Sequence, residues 1–355
     1  MRSRVGERLG SWILEFDLIE RIRHRATQRA DVVLGIGDDA AIVQVPHGRQ
    51  LVIATDTLNA GVHFPEDTAA ADIGWKALAV NLSDLAAMGA QPAWCTLSLS
   101  LPGSDPAWLD GFLDGFLDLA APHRVALVGG DTTRGPLSIC VTVHGLVAPG
   151  QALRRDAARV GDDIWVSGTL GDAAGALRLL LSRKSADAAG GPRRIAPGTA
   201  ISSGVDVDRN LHSLQRRLDR PTPRIATGLA LAGIAHACID ISDGLLADLG
   251  HICRASGVAA EVRLAELPAS AALQVAFDDD EHAALQATGG DDYELCFTAS
   301  ASDRETIERI ARRTDTLLTR IGRIGPGSGV RAISADGQPW QPPSAGYEHF
   351  AQPPL

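Results

Sequence analysis

Hydrophobic residues recur at helical spacing in two stretches of the first half of the chain. The earlier stretch predicts a helix over residues 11–30. The later one predicts a helix over residues 69–88, whose apolar face carries Leu78, Leu82 and Leu85.

Shorter apolar runs, bounded by Gly, Pro or Asp, predict strands between the helices. Strands are predicted over 40–45, 51–54, 93–101, 124–128, 137–147, 238–241 and 258–264, with one more in the run VGDDIWVSG, and helices over 105–120, 172–182, 224–235, 244–255 and 302–313. This mixture predicts an α+β (mixed α/β) fold. Because the pattern restarts near residue 150, and because 355 residues exceed one ordinary core, we expect two domains, 1–149 and 150–355.

Two segments lack a clear period. Residues 184–222 are rich in Ser, Ala, Gly, Arg and Pro and show no clear period until His212–Leu218, so they predict a solvated loop or insertion, with a flexible insertion at about 184–210. Residues 339–355 contain five prolines and predict an irregular tail.

The amino-acid composition argues against several classes of function. The 33 basic and 43 acidic residues give a net charge of −10, which disfavours binding to nucleic acid or to an anionic membrane. The five cysteines are scattered without a CxxC pair, so we expect reduced core thiols and no zinc site. No secretory signal and no apolar run of about 18 residues is visible, and a cytoplasmic protein is therefore expected.

Candidate chemistry lies in a set of aspartates beside glycines or at strand ends. They occur in GIGDDAA (35–41), ATDT (54–57), NLSDLAAMGAQP (81–92), GGDTTRG (129–135), DISDG (240–244) and TGGDDYEL (288–295). A single Asp-Gly pair is most simply turn chemistry. Six such sites, four of them after an apolar run, favour carboxylates that face a ligand crevice with cations between them.

Asp84 differs from the others because it falls inside a predicted helix and is not turn chemistry. It shares a stripe with Lys76 and Val80, and Asn81 lies one turn away. The spacing leaves two alternatives open, a solvated surface stripe or an amide and a carboxylate directed at a metal ion.

Other signatures of phosphate handling or acyl transfer are missing. The chain has no GxxxxGK[ST] loop, no HRD and DFG set, no GxGxxG and no GxSxG. These absences argue against a P-loop enzyme, a protein kinase, a Rossmann dinucleotide enzyme and a serine hydrolase.

The motifs GIGDDAA, DTLNAGVHF, NLSDLAAMGAQPAW, GGDTTRG, DISDGLLADLGHIC and TGGDDYELCF together resemble the thiamine-monophosphate kinase family. That family belongs to the superfamily of aminoimidazole ribonucleotide synthetase and selenophosphate synthetase. The resemblance extends from about residue 10 to 350. It implies ATP-dependent, Mg²⁺-dependent phosphorylation of thiamine monophosphate by a homodimer. It also implies an N-terminal domain whose sheet pairs across the dimer and a C-terminal α/β sandwich domain.

The resemblance also implies roles for individual residues. Metal binding is expected of Asp38, Thr55, Asp56, Asp84, Asp131, Asp240 and Asp243. Nucleotide contacts are expected of Gly130, Asp131, Arg155 and Ser242. Substrate contacts are expected of His63, Asp291 and Tyr347. No general base is expected, since the attacking phosphate oxygen is already ionised at neutral pH.

Several of these residues have simpler interpretations. Arg155 could belong to a solvated basic turn, His63 could close the turn of NAGVHF, and Tyr347 could pack the tail. Two positions depart from the family pattern: Asp291 stands where the family usually has Glu, and Ala54 where it often has a hydroxyl residue. The segment RLDRPTPR (217–224) also lacks an expected His.

Two other functions compete with a thiamine-monophosphate kinase. One is a related ATP-dependent synthetase, which the absence of a reactive N-terminal Cys and the substrate motif DTLNAGVHF disfavour. The other is a non-catalytic nucleotide-binding homologue, which would be expected to have lost a metal carboxylate, whereas all are retained.

Overall fold

The computed structural model describes residues 15–188 and 204–342 and shows a mixed α/β fold, as predicted. The helices are α1 (Glu15–Arg25), α2 (Ala70–Ala87), α3 (Pro106–His123), α4 (Asp172–Ala188), α5 (Gly204–Asp219), α6 (Ile225–Leu231), α7 (Leu245–Ser256), α8 (Ala271–Ala276), α9 (Asp279–Thr288) and α10 (Arg304–Thr314). The strands are β1 (Val32–Leu34), β2 (Ile42–Val43), β3 (Gln50–Asn59), β4 (Gln91–Leu101), β5 (Ala126–Arg134), β6 (Ser138–Val147), β7 (Asp163–Ser167), β8 (Ala237–Asp240), β9 (Ala259–Arg263), β10 (Leu295–Ala299), β11 (Leu318–Gly325), β12 (Gly329–Ile333) and β13 (Pro339–Trp340).

The backbone divides into two compact units. The first contains the described part of Met1–Gln44 together with Thr55–Ala77 and Trp94–Thr142. The second contains Val45–Ala54, Leu78–Ala93 and the described part of Val143–Leu355.

In the first unit, two helices pack unusually closely through glycine. A Cβ on Gly115 would lie 1.7 Å from the carbonyl oxygen of Ala71, and one on Gly74 would lie 2.0 Å from that of Phe112. No side chain fits at either position, so α2 and α3 meet backbone to backbone. Trp94 and Phe116, both almost completely buried, contribute to the apolar core of this unit.

One sheet has four strands in the order β3-β6-β4-β5. Its strands β3 and β5 carry predicted site residues. β4 and β5 run parallel, with Leu97 opposite Gly130 and Ser98 opposite Asp131. This register places the GGDTTRG motif along β5. β1 and β2 form a separate antiparallel pair.

The second unit contains a seven-stranded sheet in the order β13-β12-β9-β11-β7-β10-β8. β12 and β9 are parallel, and the other neighbours are antiparallel. β7 and β10 are buried at every position, so they show no alternation between polar and apolar residues. The core on this sheet includes Ile164, Ile239 and Leu249.

The loop predicted over 184–222 is wrong at its described ends, which are helical, whereas most of the insertion predicted at about 184–210 is not tested. α4 continues to Ala188, and α5 begins at Gly204; residues 189–203 lie outside the described part of the chain. Leu214 and Leu218 of α5 pack against α4 and α8 in a second apolar cluster. Burial of one helical face, with charged residues on the other, stabilises α5.

The sequence also missed several elements: α8, α9 and the strands β1 and β10 to β13. β13 lies within the segment that was predicted to be irregular. The prediction for residues 343–355 falls outside the described residues. All five cysteines are free; four of them are buried, as expected of core residues, whereas Cys140 is only partly buried. None of the helices in residues 15–188 and 204–342 has the length and apolar character that a membrane crossing requires.

Candidate functional site

The first unit contains an open cavity of about 900 Å³ formed by α1, the loop after β1, the middle of β4 and most of β5. Three of the predicted site residues line it: Asp38, Gly130 and Asp131. Asp38 is exposed, and its carboxylate accepts the backbone N–H of Asp39 at 2.9 Å. The structure therefore brings the GIGDDAA and GGDTTRG motifs to one cavity.

The backbone around residue 130 leaves no room for any residue larger than glycine. Its φ is +154°, and a Cβ there would lie 1.8 Å from the carbonyl oxygen of Leu97 on β4. By contrast, a Cβ on Gly129 would meet nothing within 4 Å. Gly130 thus lets the backbone of β5 lie against β4 immediately before Asp131.

Thr55 and Asp56 are adjacent on β3, so their side chains point to opposite faces of the sheet. The Thr55 hydroxyl lies 3.1 Å from the carbonyl oxygen of Val141 and 2.5 Å from the hydroxyl of Thr142. The two side chains are therefore not brought together. If Thr55 supplies a metal ligand on the side of the sheet that carries the Asp56 carboxylate, that ligand is its backbone oxygen.

His63 takes part in a turn that follows β3. Its Nδ1 accepts the backbone N–H of Asn59 at 3.0 Å, and its own N–H donates to the carbonyl oxygen of Asn59. In the neutral ring this hydrogen bond leaves the proton on Nε2. The Nζ of Lys76, a residue only 2% exposed, donates to the carbonyl oxygen of His63 at 3.0 Å. The turn and α2 are thereby joined.

Asp84 lies in the last turns of α2 and is partly buried. The surface-stripe alternative is wrong, because Lys76 is 2% exposed and Asn81 is 1% exposed. A buried stripe of polar residues is costly unless each group has a partner, so this stripe is more than a solvated helix face.

In the second unit, the DISDG segment forms a tight loop between β8 and α7. Ser242, Asp243 and Gly244 direct their backbone N–H groups at one oxygen of Asp248, at 3.1, 3.0 and 3.1 Å. Asp248 is 3% exposed and lies one turn into α7. It shapes the loop that presents Asp240 and Asp243. Sequence reasoning did not single it out, although it stands in the motif DISDGLLADLGHIC.

Carboxylates crowd around this loop. Burial, together with the nearby charges of Asp240 and Asp243, raises the pKa of Asp248 to about 7. Asp240 is itself only 5% exposed. Within residues 15–188 and 204–342, however, no three His, Cys, Asp or Glu side chains are close enough to form a metal centre.

Arg155 is exposed in the segment between β6 and β7, where its carbonyl oxygen accepts the Ser256 hydroxyl at 2.8 Å. Burial lowers the pKa of His251; the cations Arg254 and Arg155 lower it further, and Asp243 opposes them. The carbonyl oxygen of Arg154, the preceding residue, accepts the backbone N–H of Cys238 at 3.0 Å, so this segment runs along β8, the strand that leads into the DISDG loop.

The TGGDDYEL segment packs directly against the same loop. The backbone N–H of Asp291 donates to the carbonyl oxygen of Ser242 at 2.8 Å. A Cβ on Gly290 would lie 2.5 Å from that oxygen, and one on Gly244 would lie 2.7 Å from the carbonyl oxygen of Thr288. The expected substrate residue Asp291 and the expected nucleotide residue Ser242 thus lie side by side. Tyr347 lies outside the described residues.

Sequence reasoning also missed a buried ion cluster beneath this segment. Glu294 is 0% exposed and accepts hydrogen bonds from Arg217, Arg224 and Ser167. The two arginines come from RLDRPTPR, where a histidine was expected. Gly168 makes room for the carboxylate, since a Cβ there would lie 2.1 Å from it.

Comparison with known proteins gives a consistent result. The family model for AIR synthase related protein, N-terminal domain, matches residues 37–147, and that for the C-terminal domain matches residues 159–334. The curated thiamine-monophosphate kinase of Escherichia coli strain K12 is 44% identical over 340 residues, which cover 96% of this chain and 99% of the relative.

Solved structures show the same relationship. Thiamine-monophosphate kinase from Stenotrophomonas maltophilia K279a has a TM-score of 0.80 and 56% identity, covering 91% of this chain and 97% of that one. The structure of AaThiL complexed with AMPPCP and TMP has a TM-score of 0.69 and 32% identity, covering 95% and 97%. The chain belongs to the thiamine-monophosphate kinase family of AIR synthase related proteins.

Proposed function

We propose that the protein transfers the γ-phosphoryl group of ATP to thiamine monophosphate, giving thiamine diphosphate and ADP. The observation that carries the proposal is the 44% identity, over nearly the whole of both chains, to a curated thiamine-monophosphate kinase. A related structure bound to both AMPPCP, an ATP analogue, and TMP supports the same pair of substrates.

The chemistry fits the residues at hand. A phosphate oxygen of thiamine monophosphate attacks the γ-phosphorus, and the bond from that phosphorus to the ADP oxygen breaks. The attacking oxygen is already ionised, so the chain need not supply a general base. What the chain must do is align two polyanions and offset their repulsion.

Nucleotide contacts are proposed for Gly130, Asp131, Arg155 and Ser242. Gly130 allows close approach of the backbone at the cavity of the first unit, and Asp131 follows it there. Arg155 has the planar guanidinium that pairs with a phosphate through two hydrogen bonds. It is exposed, and it is near the DISDG loop that carries Ser242.

Mg²⁺ ions are proposed as cofactors. The candidate ligands all offer hard oxygen atoms, which Mg²⁺ prefers; they are Asp38, Thr55, Asp56, Asp84, Asp131, Asp240 and Asp243. The crowding of Asp240 and Asp243, which raises the pKa of Asp248, is relieved when a divalent cation is present. Bound Mg²⁺ supplies charge neutralisation for the phosphates.

Contacts to thiamine monophosphate are proposed for His63, Asp291 and Tyr347. In support, Asp291 and Ser242 are joined by a backbone hydrogen bond, so a substrate residue and a nucleotide residue are held next to one another. This arrangement suits a transfer between two bound phosphates.

We also propose that the protein forms a homodimer and that its two domains span residues 1–149 and 150–355. β3 leaves Leu51 and Ile53 exposed on one face, at 39% and 60%. Uncovered apolar residues of this kind favour association. The proposed domains keep each of the two matched family regions within one domain. Cytoplasmic location stays a prediction from the sequence.

The proposal is tested by incubating the purified chain with ATP, Mg²⁺ and one acceptor at a time, followed by mass spectrometry. Thiamine diphosphate is expected from thiamine monophosphate, with none from thiamine and none in EDTA. No product from thiamine monophosphate, despite Mg²⁺-dependent ATP binding, would contradict the assigned acceptor.

A further inference from the structure

The segment that precedes β10 holds an unusual backbone. Asp291 and Tyr293 have positive φ angles, +67° and +50°, although neither is a glycine. This left-handed region is unfavourable for residues with a Cβ, and it persists only where the surroundings impose it. Strain of this kind points to a functional reason for the local conformation.

Backbone hydrogen bonds impose part of it. The N–H of Asp291 donates to Ser242, and the N–H of Tyr293 donates to Ile241, both at 2.8 Å. The N–H of Ile241 in turn donates to the carbonyl oxygen of Glu294 at 2.8 Å. These bonds continue the pairing of β10 with β8 into the loop.

Two buried carboxylates impose the rest. Asp292 is 3% exposed, and its two oxygens accept the N–H of Gly171 at 3.0 and 2.9 Å. Glu294 is bound by Arg217 and Arg224. Residues 292 and 294 are thus anchored inward, on either side of Tyr293.

The anchored backbone brings two side chains together. The Tyr293 hydroxyl donates to Oδ1 of Asp291 at 3.0 Å. The Tyr293 side chain is packed, with the residue 8% exposed, whereas Asp291 is partly exposed. A buried tyrosine therefore holds a carboxylate that remains partly accessible.

We propose that Tyr293 is a positioning residue that orients the Asp291 carboxylate for the thiamine moiety of the substrate. This inference rests on the proposed function. A carboxylate repels phosphates, so Asp291 is suited to the cationic, hydrogen-bond-donating thiamine end and not to either phosphate group.

The test begins with Tyr293→Phe, which keeps the ring and removes the hydroxyl. We expect the KM for thiamine monophosphate to rise about tenfold, the magnitude of one charge-assisted hydrogen bond. The KM for ATP should remain at the wild-type value, and the apparent Tm should fall by no more than a few degrees, the cost of one hydrogen bond. A purely structural role would instead raise both KM values.

Thr298→Val is the matched control. Thr298 lies on β10, is 0% exposed, and its hydroxyl finds no hydrogen-bond partner within the described ranges. This variant also loses a buried hydroxyl near the segment, but it should leave the KM for thiamine monophosphate unchanged.

A double-mutant cycle separates positioning from independent binding. Asp291→Ala should raise the KM for thiamine monophosphate, and adding Tyr293→Phe to it should cause no further rise. Multiplicative effects of the two substitutions, or an unchanged KM in Tyr293→Phe, would overturn the inference while leaving the proposed function intact. A wild-type chain that does not phosphorylate thiamine monophosphate would overturn both.

Discussion

The buried Glu294 cluster offers a direct test of how the second unit is stabilised. The carboxylate accepts from Arg224 at 2.6 and 2.5 Å, from Arg217 at 2.6 Å and from Ser167 at 2.5 Å. The exposed fractions of the Arg217 and Arg224 side chains are only 22% and 17%. Glu294→Gln keeps the shape and removes the charge, so Arg224 loses its carboxylate partner and Arg217 keeps only the more distant Asp172, at 3.8 Å.

Removing one partner of a buried ion pair costs about 3–5 kcal/mol. For a domain of this size, each kcal/mol lowers the Tm by about 2–4 °C, so we expect a decrease of about 6–20 °C. Differential scanning fluorimetry at neutral pH measures this shift.

The matched control is Glu261→Gln. Glu261 also lies in the seven-stranded sheet and pairs with an arginine, Arg331, but the two side chains are 39% and 63% exposed. Surface pairs contribute about 0–1 kcal/mol, so the Tm should change by no more than a few degrees. Equal shifts for the two variants would refute the reasoning that burial makes the Glu294 pair different.

Four further predictions follow from the same structure. Burial alone would raise the pKa of Glu294, but the arginines and Ser167 lower it overall. The stability that Glu294 contributes is therefore present above the usual glutamate pKa and is lost as the pH falls through the lowered value. The urea midpoint of the wild type should fall on acidification more steeply than that of Glu294→Gln. Gly130→Ala should weaken ATP binding at least tenfold in calorimetry, because its Cβ would lie 1.8 Å from the backbone of Leu97, while Gly129→Ala should bind normally. Asp248→Ala leaves three loop N–H groups without their acceptor and should abolish turnover, whereas Asp248→Asn, which retains an oxygen, should keep measurable activity in the same assay. Asp84→Asn should abolish turnover and leave the Tm unchanged. Near-wild-type activity of this variant at low Mg²⁺ would contradict the role of Asp84 as a metal ligand. The control is Asp118→Asn, on the exposed face of α3.

Long elements with a strong helical period were predictable from the sequence. The helix expected over 69–88 is α2 (Ala70–Ala87), and that expected over 244–255 is α7 (Leu245–Ser256). β10 was missed because all of its positions are buried, and such a strand shows no alternation of polar and apolar residues. α5 was missed because a helical period is visible only over His212–Leu218, too short a stretch to indicate a helix without the cover that α4 and α8 give to Leu214.

The candidate site was likewise predictable only in part from the sequence. Motifs in which Asp stands beside Gly identified the loops that meet, such as DISDG and TGGDDYEL. The residues that hold these loops could not be found in this way, because their partners are distant in sequence. Glu294 is bound by Arg217 and Arg224, which lie 77 and 70 residues away. Asp248, five residues beyond Asp243, is recognisable only from the direction of three backbone N–H groups.

Isotope transfer tests the central claim most directly. The chain is incubated with thiamine monophosphate, Mg²⁺ and ATP whose γ-phosphoryl group carries ¹⁸O at its non-bridging oxygens, and the products are weighed by mass spectrometry. Direct transfer predicts that all of the label appears in the terminal phosphoryl group of thiamine diphosphate and that ADP is unlabelled. Label recovered only in inorganic phosphate, or unlabelled thiamine diphosphate, would contradict the account.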